Sequence, residues 1–157
     1  MKKTFIIIFL FLLDRMTKFY LINLQSNGTD IDFYIYPFLN IYLVWNTGIG
    51  FGLLSLNGDL AYHILTFLIV IINFILIIFL FKSSIIHQYL IAIVLGGSLG
   101  NLFDRIYYFA VPDFIDFHIG NFHWFTFNVA DIFISLGVLC LIFVELFSNK
   151  EDKLNAN

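Results

Sequence analysis

The chain has 157 residues, of which 61% are hydrophobic, and it carries 8 basic and 11 acidic side chains for a formal net charge of -3. This composition excludes an ordinary soluble globular domain and indicates an integral membrane protein, folded as one domain over residues 1-157. The small, dispersed charge, with no basic run among aromatic residues, argues against nucleic-acid binding.

Hydropathy predicts four membrane spans, each long enough to cross a bilayer. They cover residues 4-24, 60-81, 85-103 and 128-147. The first stretch could instead be a secretory signal peptide, because Lys2 and Lys3 precede it. No small-residue cleavage site follows it, however, and Asp14, Arg15 and Lys18 interrupt it, so we favour a retained span.

Basic residues in the flanks of the spans predict their orientation. By the positive-inside rule, both termini are cytoplasmic, and segments 25-59 and 106-127 face outward. The flanking residues that carry this prediction are Lys2, Lys3, Lys82, Lys150 and Lys153.

The two outer segments differ in pattern. The first alternates apolar and polar side chains from Ile31 to Asn46, with a break at Pro37, which predicts two strands of a small sheet on the membrane surface. The second is rich in aromatic residues, and we interpret it as a loop that dips into the membrane interface. His118 and His123 in this loop could ligate a metal, but the His-Glu-x-x-His signature is absent, so we expect none.

Polar residues also interrupt the predicted spans. Asp14 and Lys18 are four residues apart and can pair on one helix face. Asn101, Asp104 and Arg105 lie along one face at the outer end of span three. They form either a structural cluster or a polar wall that orients a peptide and a catalytic carboxylate.

Two glycine-rich stretches give weaker signals. The turn from Asn46 to Gly48 could present its asparagine side chain to a substrate backbone. Gly-x-Ser-x-Gly at 96-100 would suggest a nucleophilic Ser98 in a soluble hydrolase. In the middle of a span, its glycines are better interpreted as small residues that allow close helix packing.

Asp113 lies in the second outer segment, and Asp131 lies at the start of span four. Both are therefore expected at the outer face of the membrane. A carboxylate in a bilayer costs roughly 2.5 to 3.5 kcal/mol at a helix centre, so it is usually retained for function. Asn128 and Asp131 are three residues apart and share one helix face. Two converging aspartates can share a proton and activate water, as in aspartic proteases. A structural or ion-conducting role would use the same residue types, so the residues alone leave all three open.

Five strings, taken in order, resemble the motifs of the bacterial lipoprotein signal peptidase family (signal peptidase II). The strings run from Asp14 to Lys18, Asn46 to Gly48, Gly96 to Arg105, Val111 to Phe114 and Phe127 to Asp131. The resemblance covers nearly the whole chain. It implies a four-helix aspartic endopeptidase of the bacterial inner membrane, with a small extracytoplasmic β-cradle and no cofactor.

The resemblance also implies a site and a substrate. The catalytic pair falls on Asp113 and Asp131, and the substrate would be a prolipoprotein cut on the amino side of a diacylglyceryl-modified cysteine. Membrane lipids and the cyclic peptide inhibitor globomycin would be the other partners. The supporting residues of the family fall on Asp14, Lys18, Asn46, Gly48, Asn101, Asp104, Arg105, Asn128 and Ala130. The chain departs from the usual pattern at Arg15, at residues 49-52 and at Pro112.

Overall fold

The computed structural model describes residues 1-48, 59-120 and 122-155. Within these ranges the chain forms four helices and four strands. In chain order they are α1 (Lys2–Ser26), β1 (Asp32–Tyr36), β2 (Leu39–Asn46), α2 (Asp59–Lys82), α3 (Ile85–Tyr107), β3 (Val111–Ile119), β4 (Phe122–Phe127) and α4 (Val129–Asn155).

Three helices are long and apolar enough to cross a membrane: Leu60–Lys82, Ile85–Tyr107 and Val129–Phe147. They coincide with the second, third and fourth predicted spans. Helix α1 covers the first predicted span and is 25 residues long, but its middle carries three charged residues. Large apolar side chains such as Phe67 and Phe74 on α2 are exposed, which requires an apolar environment around the helices. The chain is therefore an integral membrane protein.

Helix α3 lies at the centre of the bundle and contacts the other three helices. Its glycines allow this close approach, because a Cβ atom on Gly97 would lie 2.5 Å from the backbone oxygen of Ala130 in α4. A Cβ atom on Gly96 would lie 2.8 Å from the Cβ of Leu10 in α1. Ser98, the next residue after Gly97, accepts a hydrogen bond of 2.9 Å from the side chain of Asn73. The packing interpretation of this motif is confirmed.

The strands form one antiparallel sheet in the order β1-β2-β3-β4. The two strands predicted on either side of Pro37 are confirmed as β1 and β2. The interpretation of the second outer segment as an aromatic loop was wrong, because this segment forms the hairpin of β3 and β4. Pairing along β2 and within the hairpin satisfies backbone groups that a loop beside the membrane would leave without partners.

The sheet is joined to the outer end of the bundle. Leu21 of α1 packs with Ile31, Leu43 and Phe114 in one buried apolar cluster. Strand β3 follows α3 directly, and β4 leads into α4. This connectivity brings the start of β3 and the first turn of α4 to the same end of the molecule.

Candidate active site

Asp113 lies near the start of β3 and is only 1% exposed. One carboxylate oxygen accepts a hydrogen bond of 2.6 Å from the side-chain amide of Asn128. The other accepts one of 2.8 Å from the side-chain amide of Asn46. Asn46 is itself oriented by a turn, since its side-chain oxygen accepts the backbone N–H of Gly48 at 2.8 Å. Neutral amides therefore hold both oxygens of Asp113.

Asp131 lies in the first turn of α4, where it forms a capping box with Asn128. The backbone N–H of Asn128 donates to Oδ2 of Asp131, and the backbone N–H of Asp131 donates to Oδ1 of Asn128, both at 3.1 Å. The remaining oxygen of Asp131 accepts a hydrogen bond of 2.8 Å from the side chain of Asn101. Asn128 thus contacts both aspartates, Asp113 through its side chain and Asp131 through its backbone.

The surroundings of Asp113 raise the pKa of its carboxyl group well above the ordinary value. Burial raises the pKa of Asp113 to about 7, and the nearby negative charge of Asp131 adds to the rise. The hydrogen bonds from Asn46 and Asn128 oppose this rise but do not cancel it. Asp113 can therefore both donate and accept a proton near pH 7, as a general acid or base must.

A second cluster of charges lies between α1 and α3. Lys18 is fully buried, and its ammonium contacts Oδ2 of Asp14 at 3.0 Å and Oδ2 of Asp104 at 2.7 Å. The predicted pair of Asp14 and Lys18 is therefore confirmed. The second oxygen of Asp14 accepts the backbone N–H of Ala130 at 3.0 Å, which ties α1 to the first turn of α4.

The sequence analysis assigned no role to Arg15, which completes this cluster. Its guanidinium donates to both oxygens of Asp104 and contacts Asp14 at 3.0 Å. It also lies 4.9 Å from the ring centre of Phe103. Charge counting could have found it, because two buried carboxylates require a second cation besides Lys18.

Asn101 connects the two clusters. Its side-chain oxygen accepts a hydrogen bond of 2.8 Å from the Lys18 ammonium, while its nitrogen donates to Asp131. Because Lys18 can only donate, it fixes which end of the amide faces Asp131.

Arg105 has different partners from Asn101 and Asp104, although all three were predicted to share a face. Its guanidinium donates to the backbone carbonyl of Gly48 and lies 5.8 Å from the ring centre of Tyr62. The Tyr62 hydroxyl, which the sequence analysis did not identify, donates to the Arg105 carbonyl at 2.8 Å. Nε and Nη1 of Arg105 are buried and have no hydrogen-bond partner in the described part of the chain.

All the site residues predicted from the sequence lie in the described ranges, and they form three connected groups. The first contains the aspartates Asp113 and Asp131 with their amide partners, the second contains the ion pairs around Lys18, and the third links Arg105 to Gly48. The unusual residues at 49-52 lie outside the described residues.

An apolar groove begins at Asp131. It encloses a cavity of about 240 Å³ between β4 and α4. Its other lining residues are Phe125, Phe127, Ile132, Ser135 and Leu136. A hydrocarbon chain placed there would lie beside the carboxylate.

Comparison with known proteins places this arrangement in a family. The family model described as signal peptidase (SPase) II matches residues 6–147. A lipoprotein signal peptidase of Pelagibacter ubique is 51% identical, covering 97% of this chain and 92% of its own, and that of Anaplasma phagocytophilum is 38% identical, covering 92% and 90%. A bacterial membrane enzyme structure determined by the in meso method at 2.3 Å resolution is 31% identical with a TM-score of 0.77, covering 97% of this chain and 91% of its own. The chain belongs to the signal peptidase II family of aspartic-type membrane peptidases.

Proposed function

We propose that this protein removes the signal peptides of prolipoproteins, with Asp113 and Asp131 as its catalytic pair. The relatives named lipoprotein signal peptidase support the substrate class. The observation that carries the site assignment is that one residue, Asn128, contacts both carboxylates, each of which takes its remaining hydrogen bond from a neutral amide.

In the proposed mechanism the two aspartates share one proton and bind a water molecule between them. One carboxylate takes a proton from the water as its oxygen attacks the scissile carbonyl carbon, while the other protonates the carbonyl oxygen. Transfer of a proton to the peptide nitrogen then breaks the C–N bond. The raised pKa of Asp113 supports these separate roles as base and acid, because the pair then retains one proton near neutral pH.

The other predicted residues act on this pair or on the substrate. Asn46, Asn101 and Asn128 orient the carboxylates. Asp14, Lys18, Asp104 and the closely packed Ala130 fix α1, α3 and α4 against one another. Arg105, whose Nε and Nη1 have no hydrogen-bond partner in the described ranges, and Gly48 would hold the backbone of the bound peptide.

The lipid on the substrate accounts for the groove at Asp131. We infer that the cysteine to be exposed carries diacylglycerol, whose acyl chain lies along Phe127, Ile132 and Leu136. The bond on the amino side of that cysteine would then reach the aspartates. Cyclic peptides of the globomycin type, placed in the same groove, would block the pair, and membrane lipids would fill the groove between turnovers.

The proposed topology has four spans in a single domain over residues 1-157, in the bacterial inner membrane. We count helix α1 as a span in addition to the three apolar helices. Its charges are paired inside the bundle, while Phe5, Met16 and Phe19 form an apolar outer surface. Lysines at the inner flanks put both termini in the cytoplasm and the sheet and aspartates on the outer side.

The test is cleavage by purified protein in lipid, with a diacylglyceryl-modified prolipoprotein and the same prolipoprotein without lipid. We expect wild type to cut only the modified substrate, before the modified cysteine, and Asp113→Asn and Asp131→Asn to leave it intact. Asp30→Asn, a change at an exposed aspartate, is the matched control and should cut normally. Cleavage retained by either catalytic variant would refute the site assignment, and no cleavage by folded wild type would refute the function.

A further inference from the structure

A second polar cluster lies on the sheet, apart from the catalytic pair. It contains Asp116 and His118 on β3 and His123 on β4, whose potential ligand atoms all lie within 4.8 Å of one another. The sequence analysis argued against a metal here partly because the histidines were placed in a loop. They instead lie directly opposite each other on two paired strands.

Strand geometry explains why these three side chains meet. Asp116 and His118 are two residues apart, so both point to one face of β3, and His123 is the cross-strand neighbour of His118. Asp113 is three residues before Asp116 and therefore points to the opposite face. Asp113 accepts its hydrogen bonds from Asn46 and Asn128, whereas Asp116 pairs with His123.

Two buried atoms of the cluster have no hydrogen-bond partner among the residues that the structure describes. Asp116 is fully buried, and its Oδ1 has no hydrogen-bond partner among the described residues. His118 is 7% exposed, and its Nδ1, although 3.4 Å from Oδ2 of Asp116, makes no hydrogen bond in the same ranges. Burying a carboxylate and an imidazole nitrogen in this way is costly unless a further group satisfies them.

We propose that Asp116, His118 and His123 form a zinc site that clips β3 to β4. Two imidazole nitrogens and one carboxylate oxygen are a typical donor set for Zn²⁺. Tetrahedral zinc, with bonds of about 2.0 to 2.2 Å, places its donor atoms about 3.3 to 3.5 Å apart, close to the 3.4 Å separation of His118 and Asp116. His123 Nδ1 now lies 2.7 Å from the same carboxylate oxygen, in a hydrogen bond. Zn²⁺ would replace the proton of that bond, which leaves to solvent.

The fourth ligand position opens to the surface. A cavity of about 610 Å³ adjoins the three side chains, and Asp32, Asn40 and Tyr42 line its other walls. Asn40 is the cross-strand neighbour of Asp116, and its buried side-chain oxygen has no hydrogen-bond partner in the described residues. This oxygen, directly or through a water molecule, would complete the coordination.

The test uses full-length, tag-free protein in detergent, stripped with a chelator and titrated calorimetrically with Zn²⁺. We expect one equivalent to bind and to raise the melting temperature. His123→Asn is the main variant, because this side chain is 57% exposed and the fold should tolerate the change. It should weaken Zn²⁺ binding at least about tenfold and remove the thermal shift.

His87→Asn is the matched control. His87 lies near the start of α3 and not on the sheet, so this variant should leave Zn²⁺ binding unchanged. Asp116→Asn, checked for folding by circular dichroism, should lose binding as His123→Asn does. Equal binding by wild type and His123→Asn, or no binding by wild type, would overturn the proposal. Because the readout is metal binding, peptidase activity does not enter the result.

Discussion

Two networks of carboxylates lie side by side in this protein, and their partners differ in charge. Asp14 and Asp104 contact the cations Lys18 and Arg15. Asp113 and Asp131 instead accept hydrogen bonds from neutral amides.

This difference supports the proposed division into structural carboxylates and catalytic ones. Lys18 and Arg15 balance the charges of Asp14 and Asp104 in ion pairs between α1 and α3, which suits a structural role. Amide donors orient a carboxylate without supplying a full positive charge, and burial then favours a retained proton. Asn101 joins the two networks, because it accepts a hydrogen bond from Lys18 and donates one to Asp131, a member of the proposed catalytic pair.

The largest effect should come from removing the buried cation. Lys18→Met leaves Asp14 and Asp104 with one cation between them, and we expect a loss of about 3 to 5 kcal/mol in the free energy of unfolding. Thermal or denaturant unfolding in detergent measures this loss. Lys82→Met, at the exposed end of α2, is the control and should change little. Equal stability of the two variants would show that the ion pairs are dispensable.

Removing the link between the networks should affect catalysis more than stability. In Asn101→Ala, Asp131 loses an oriented donor, and we expect kcat to fall roughly a hundredfold with little change in KM. Steady-state cleavage of the lipidated substrate measures both constants. Asn73→Ala removes another buried asparagine from the bundle and should keep kcat near the wild-type value. A rise in KM at unchanged kcat would instead place Asn101 in substrate binding.

Adjacent positions on α3 test the packing that holds the site together. Gly97→Ala places a methyl group against the carbonyl of Ala130 and should destabilise the protein by about 1 to 3 kcal/mol. Ser98→Ala removes only the hydrogen bond with Asn73 and should cost about 1 kcal/mol, with cleavage retained. Melting temperatures and cleavage rates measure both variants. Lost cleavage in folded Ser98→Ala would favour a serine mechanism.

The smallest expected effect is on pH dependence. The pKa of Asp113 is raised from 3.8 to about 7, so the folded state binds this proton more tightly than the unfolded state. Its contribution to stability is complete below pH 4 and is lost as the pH rises through 7. Asn46→Ala removes a hydrogen bond that opposes this rise in pKa. It should shift the alkaline limb of the pH profile of kcat to higher pH, by up to about one pH unit. A shift of this limb to lower pH would contradict the role of Asn46.

The sequence predicted the helices and the first two strands well, because their periodicity is local. Spans 60-81 and 85-103 fall within α2 and α3, and the break at Pro37 lies between β1 and β2. The hairpin of β3 and β4 was missed because aromatic residues occur on both faces, so no alternation of polar and apolar residues marks the strands. Its stability comes from pairing with β2, which a local pattern does not contain.

The site was predictable only in part for the same reason. Spacing predicted the pairs Asp14–Lys18 and Asn128–Asp131, because the two members of each pair are about one helix turn apart in the sequence. Contacts between distant segments, such as Arg15 with Asp104 and Asn46 with Asp113, depend on how α3 and the sheet pack. The family motifs identified most of these residues, but they did not give their partners.

The most direct test of the contrast between the two networks compares Asp113→Asn with Asp104→Asn, measuring melting temperature and cleavage per folded molecule in each. We predict that Asp113→Asn melts within a few degrees of wild type but loses cleavage at least about a thousandfold. Asp104→Asn should melt far lower, because Lys18 and Arg15 lose a charged partner, yet keep cleavage within about tenfold. The opposite pattern, with Asp104→Asn inactive at an unchanged melting temperature and Asp113→Asn still active, would contradict the account.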